Sequence, residues 1–248
     1  MVSWKASGAM PETAYFSCED LSLDLGGREV LRNISLELRE GEVLGIIGPN
    51  GAGKTSLLEI LSGRYRPKTG KVYFEGRDIN SLSLFERARL GIGRTYQTPI
   101  VPEELTVGET MKAARQAFRP WLTRFDAEYS ANLVHFRVPY DRPTVSLKTF
   151  ERRKLLMACL LMRQPKVLLM DEPAAGLINA EIDEIDQILR TLSKEMNVAV
   201  LIVEHRIELL ESIADRVIVM DAGEIIARGE LADIIDSPAV RAAYFETQ

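Results

Sequence analysis

The stretch Gly48-Pro49-Asn50-Gly51-Ala52-Gly53-Lys54-Thr55 decides how this chain is read. It fits the phosphate-loop pattern G-x-x-x-x-G-K-[ST] at every fixed position. The apolar run Val43-Leu44-Gly45-Ile46-Ile47 ahead of it reads as a buried strand, and Ser56-Leu57-Leu58-Glu59-Ile60-Leu61 after it reads as a helix. A strand feeding a glycine-rich turn and then a helix aims several backbone N–H groups and the helix dipole at one point. Glycines let that backbone wrap an anion closely. Lys54 is placed to reach the β and γ phosphates, and the Thr55 hydroxyl to ligate magnesium. A chance glycine turn carrying a lysine is the competing reading, and the strand and helix on either side argue against it.

The chain has 248 residues, 46% of them hydrophobic and 27% charged, with a formal net charge of −5. That composition is globular and the length is ample for a buried core. No basic face dominates, so nucleic acid is not expected as a partner. Cys18 and Cys159 lie far apart without metal-type spacing and read as packed thiols in a reducing compartment. No apolar run approaches the ~20 residues that span a bilayer. Residues 1–13 are expected to be a flexible lead without a secretory h-region, with Met10 an alternative start.

Beyond the loop, residues 29–40 alternate with near period two and read as a strand after the Gly26-Gly27 turn, and residues 71–74 read as another. Strand signals vanish from Val107 onward. Met111, Ala114, Phe118, Trp121 and Leu122 fall at helical spacing, a second amphipathic run follows, and residues 150–162 read as a helix. A helical subdomain is therefore placed at residues 98–160, between core segments 14–97 and 161–248. In the last third, residues 167–170 and 198–203 are unbroken apolar strands of the kind covered on both faces. Residues 179–196 read as one helix, and short strands flank the Asp221-Ala222-Gly223 turn.

Asp171 and Glu172 directly follow the strand at 167–170. With a phosphate loop in the chain, an acid there is expected to serve magnesium. Its neighbour is expected to activate a water. His205 closes the next strand, whose end faces the same ligand-binding edge. A lone histidine is more often structural, but here its imidazole can meet the γ-phosphate and the attacking water. His135 reads as surface or packing. Gln97, at the junction with the helical part, can offer its carbonyl oxygen to magnesium, although composition alone favours a solvated loop glutamine.

Together these residues resemble the ATP-binding cassette family over roughly residues 14 to 248. The matches are Gly48 to Thr55 (Walker A), Gln97 (Q-loop), Val167 to Glu172 (Walker B with its glutamate) and His205 (switch histidine). Gly93-Arg94-Thr95-Tyr96-Gln97, Asp171-Glu172-Pro173-Ala174-Ala175-Gly176-Leu177, Val203-Glu204-His205 and residues 237–244 are similar to the branched-chain amino-acid and urea or amide importer branch. The resemblance implies an α/β P-loop NTPase (RecA-like) core with an antiparallel β subdomain and an inserted α-helical subdomain. It implies ATP and Mg2+ as cofactors, held by Gly48, Pro49, Asn50, Gly51, Ala52, Gly53, Lys54, Thr55, Ser56 and Gln97. Thr55, Gln97 and Asp171 would hold the metal, with Glu172 and His205 catalytic. It also implies a head-to-tail dimer, transmembrane permease subunits docking near the Q-loop, and a cytoplasmic location on the inner face of the cell membrane.

Three positions depart from the family pattern. Where Leu-Ser-Gly-Gly-Gln is expected, the chain reads Leu147-Lys148-Thr149-Phe150-Glu151, and the phenyl ring is expected to obstruct approach to phosphate. Leu25 stands where an aromatic usually stacks on adenine, with Tyr15 or Phe16 as weak substitutes. Ile178 replaces an acid or asparagine. Because the signature serves the partner's ATP, this mixture favours a heterodimer with a second, different ATPase. The leading expectation is the ATP-hydrolysing motor of an importer for an amino acid, urea or related small polar solute. A poorly hydrolysing regulatory subunit, an exporter ATPase and a cassette without a membrane partner are the alternatives.

Overall fold

Residues 14–235 and Val240 are described in a computed structural model of the chain. A hairpin opens it, β1 (Phe16–Leu25) and β2 (Arg28–Leu38), followed by β3 (Val43–Ile47) and α1 (Lys54–Leu61). Next come β4 (Thr69–Phe74), β5 (Arg77–Asp78), α2 (Leu84–Leu90) and β6 (Ile92–Arg94). Three helices then run without a strand: α3 (Val107–Gln116), α4 (Arg124–Leu133) and α5 (Thr149–Leu161). The chain returns to alternation with β7 (Val167–Asp171), α6 (Asn179–Arg190), β8 (Ala199–Val203), α7 (Ile207–Ile213), β9 (Arg216–Asp221), β10 (Glu224–Gly229) and α8 (Leu231–Ile234).

The strands form two sheets. One is antiparallel, in the order β2-β1-β4-β5, and the other runs β10-β9-β3-β8-β7-β6. In the second, β3 pairs in parallel with both β8 and β9, and β7 with both β8 and β6; only β10 is antiparallel. Successive residues of these strands face opposite ways. Leu44, Ile46, Leu169 and Leu201 join the core shared with α1 and the antiparallel sheet, while Val43, Ile47, Leu168, Met170 and Ile202 join a second core with α5, α6 and α7. Burial on both faces is why the sequence shows unbroken apolar runs there. The parallel strands all end at one edge, which carries Gly48, Thr95, Glu172 and Glu204.

Several sequence expectations are revised. β1 was not legible as a strand, because Glu19 and Asp20 interrupt its alternation; Asp20 takes φ 48° and the pairing register shifts there. Phe16 is fully buried, edge-on to Phe74, so it has no face for adenine. The stripe from Met111 to Leu122 is not one helix. α3 ends at Gln116, proline follows at 120, Phe118 lies under the Arg163 guanidinium at 3.9 Å, and Trp121 is exposed. The helix expected over 179–196 leaves α geometry after Arg190 for a π turn, Thr191–Glu195. Cys18 is buried and its thiol is pushed up to about 12 by burial, as is that of Cys159. Among the described residues no helix is long and apolar enough to cross a membrane. Residues 1–13 and the stretch 237–244, except Val240, lie outside the described residues.

Candidate functional site

β3 delivers the chain into the phosphate loop with all five of its residues buried. Two of the loop's three glycines are fixed by close approach. A Cβ on Gly48 would stand 2.0 Å from the Met220 carbonyl, and one on Gly53, at φ 98°, would stand 2.7 Å from Leu31. No side chain of this loop is larger than proline or asparagine until Lys54, the kind of loop whose backbone can wrap an anion. Asn50 and Gly51 are exposed, Pro49 and Ser56 half-buried, and Ala52 buried. Lys54 Nζ donates back to the Gly48 and Pro49 carbonyls at 2.7 and 2.9 Å, which sets the ammonium across the loop. Burial lowers its pKa, and the negative charges of Glu172 and Asp171 oppose that shift.

Asp171 ends β7, buried beneath the first turn of α1. The Thr55 hydroxyl donates to its Oδ1 at 3.4 Å. Burial raises the Asp171 pKa, and the nearby Arg94 pulls it down. The donors gathered here are hard oxygens, which suits magnesium, a cation that takes one or two protein oxygens and completes its shell with water and phosphate. Glu172 follows in the left-handed region at φ 46°, its N–H bonded to the Val203 carbonyl at 2.9 Å. This turn aims its carboxylate between two side chains from other elements. Gln97 Nε2 donates to Oε2 at 2.6 Å, and His205 Nε2 lies 3.1 Å from Oε1. The structure thus gathers Lys54, Thr55, Gln97, Asp171, Glu172 and His205 at one sheet edge. It is the amide nitrogen of Gln97, not its carbonyl oxygen, that faces Glu172.

Sequence reasoning passed over Arg94 as chemistry, although it lies in the stretch leading to Gln97. Its guanidinium, 3% exposed, bonds Glu59 Oε1 at 3.1 Å and the Ser62 hydroxyl at 3.0 Å, and stands 3.6 Å from Asp171 Oδ2. It ties α1 to the end of β7. An arginine closing a short strand beside a second strand that ends in an acid was the available signal.

The departures also take shape. Lys148 is exposed at the start of α5, but Phe150 is not. Its ring is buried in the helical core with Lys154 Nζ 4.8 Å above it, so the obstruction expected from the phenyl group is absent from the helix's exposed end. Leu25 is 40% exposed at the β1–β2 turn, and Ile178 is 67% exposed.

A model of the ABC transporter family matches residues 31–175. The chain belongs to the ABC transporter family. The high-affinity branched-chain amino acid transport ATP-binding protein BraF of Pseudomonas aeruginosa is 34% identical over 245 residues, covering 90% of this chain and 94% of that protein. The lipopolysaccharide export system ATP-binding protein LptB of Acidithiobacillus ferridurans is 32% identical over 223 residues, covering 89% and 92%. Among solved structures, the ADP conformation of an ATP-binding cassette of an ABC transporter superposes with a TM-score of 0.84 at 28% identity, covering 94% of this chain and 98% of that one. The ABC fold therefore accounts for the P-loop core, and the chain is an ABC ATPase subunit.

Proposed function

We propose that this cassette binds ATP with magnesium and hydrolyses it to drive a transporter importing an amino acid, urea or a related small polar solute. The observation that carries the reading is the Glu172 carboxylate, held between Gln97 and His205 beside the Thr55–Asp171 pair. Loop N–H groups from Gly48 to Ser56 and the Lys54 ammonium hold the phosphates. Thr55, Asp171 and Gln97 would hold magnesium. Magnesium, when bound, supplies charge neutralisation on the phosphate oxygens. Glu172 accepts a proton from the attacking water at the carboxylate that His205 now touches, and His205 orients the γ-phosphate. Replacing Glu172 by Gln keeps the shape and removes the base. Turnover by E172Q equal to wild type would refute the assignment.

Amino-acid transport is supported by the name of BraF, while that of LptB favours export as the second reading. The cytoplasmic, membrane-peripheral location follows from permease docking. A groove of about 470 Å³ between the helical part and the core, lined by Thr98, Ile100, Phe118, Leu160 and Arg163, is where transmembrane permease subunits would seat. The second ATPase is proposed to be a different chain, because Lys148 stands where the family offers a serine. Affinity capture of E172Q with ATP and magnesium from source membranes tests both partners. Recovery of the chain alone would sink the transporter reading, and recovery with permeases but no second ATPase would sink the heterodimer.

A further inference from the structure

Two charged side chains, neither belonging to the phosphate or metal site, are buried against the loop that follows Glu172. Arg153, on α5, is 6% exposed. Its guanidinium donates to the Pro173 carbonyl, to the Ala175 carbonyl from both terminal nitrogens at 3.2 Å, and to the Gln97 carbonyl at 3.2 Å. Glu204, directly after β8, is 2% exposed. Its Oε1 accepts from the Ala174 N–H at 2.7 Å and its Oε2 from the His205 N–H at 3.1 Å. Burying an isolated charge is costly unless hydrogen bonds satisfy it. Here the hydrogen bonds come from peptide groups: carbonyls for the cation, N–H groups for the anion. Burial pushes the Arg153 pKa down and that of Glu204 up, and Glu204 is the first of the charges that oppose the shift of Arg153.

We infer that Arg153 and Glu204 clamp loop 173–175 between them and act as positioning residues for Glu172. The loop begins at the residue after Glu172, and the Ala175 N–H closes back onto the Glu172 carbonyl at 3.1 Å. Each clamp residue also reaches Glu172 by a second route. Arg153 holds the backbone of Gln97, whose amide grips one carboxylate oxygen; Glu204 holds the backbone of His205, whose ring meets the other. Arg153 rides on the helical part and Glu204 on the parallel sheet. A shift of α5 against the sheet therefore pulls on the two loops that aim the base. A purely stabilising role fits poorly, since buried charges are commonly no better than apolar groups for stability.

The inference rests on the hydrolysis reading, and the test separates the two. Wild type, E172Q, R153K, E204Q and the R153K/E204Q double variant are compared for kcat, for affinity toward a fluorescent ATP analogue, and for hydrogen exchange over residues 172–178. Lysine keeps the charge but cannot fork across three carbonyls, and glutamine keeps the shape of Glu204 without its charge. Both single variants should lower kcat by about tenfold or more, as small misplacements of a catalytic group do, with nucleotide affinity within about twofold. Exchange over 172–178 should quicken about tenfold while α1 stays protected. The double variant should lose less than the product of the single losses, because both act on one loop. Unchanged exchange over 172–178 would overturn the clamp, as would a kcat that falls only with affinity or folded fraction. A wild type without turnover in the complex recovered with its partner chains would refute the hydrolysis reading while leaving the exchange result to decide the clamp.

Discussion

The starts of α1 and α5 are built in opposite ways. α1 begins after Gly53 with no side-chain cap and no acid in its first turn. Elsewhere the chain caps helices with its own acids: Glu86, Glu109 and Asp126 fold back in complete capping boxes on α2, α3 and α4. At α5 the Glu151 carboxylate accepts the Lys148 N–H at 2.8 Å. A helix N-terminus holds a fixed amount of positive potential. At α1 it is left for an outside anion; at α5 it is already partly occupied by the chain's own carboxylate. That contrast is in line with the proposal above that the chain works beside a different ATPase.

Removing the base should give the largest effect. E172Q should lower kcat by about 10²-fold or more while retaining ATP binding, measured by turnover and by nucleotide titration. The two helix starts should also differ in stability. F150A should destabilise by about 3 kcal/mol in urea melts, since its ring is core. N50A, in the exposed phosphate loop, should change stability by less than about 0.5 kcal/mol. Equal melts would mean that the ring contributes no packing. Chelating magnesium should weaken ATP binding about tenfold in a titration with and without EDTA, with no change in the urea midpoint of the nucleotide-free chain. K148S, which restores the hydroxyl, should raise turnover of the isolated chain at high protein concentration roughly fivefold, the worth of about one hydrogen bond. Brisk, cooperative hydrolysis by the unmodified chain alone would remove the case for a different partner.

Much of the site was legible because phosphate chemistry imposes local rules. The spacing of Gly48, Gly53, Lys54 and Thr55, and an acid pair after an apolar strand, are constraints on neighbours in sequence. The parallel strands were legible for a related reason: burial on both faces leaves no polar alternation, so residues 167–170 and 198–203 stand out. The hairpin strand β1 was hidden because a positive-φ Asp20 shifts its register, and α3 ended early because periodicity carries no information on where the chain turns to pack.

The sequence by itself determined the phosphate loop, the acidic strand end and the α/β class, since each is a short-range pattern whose physics acts within a few residues. Only the tertiary structure decided that Phe150 turns inward, that Arg94 stands against Asp171, and that Gln97, His205, Arg153 and Glu204 converge on Glu172 and its loop. The contacts onto Glu172 and its loop join residues from 20 to 75 positions apart. They arise from how helices and parallel strands stack, which no local spacing encodes.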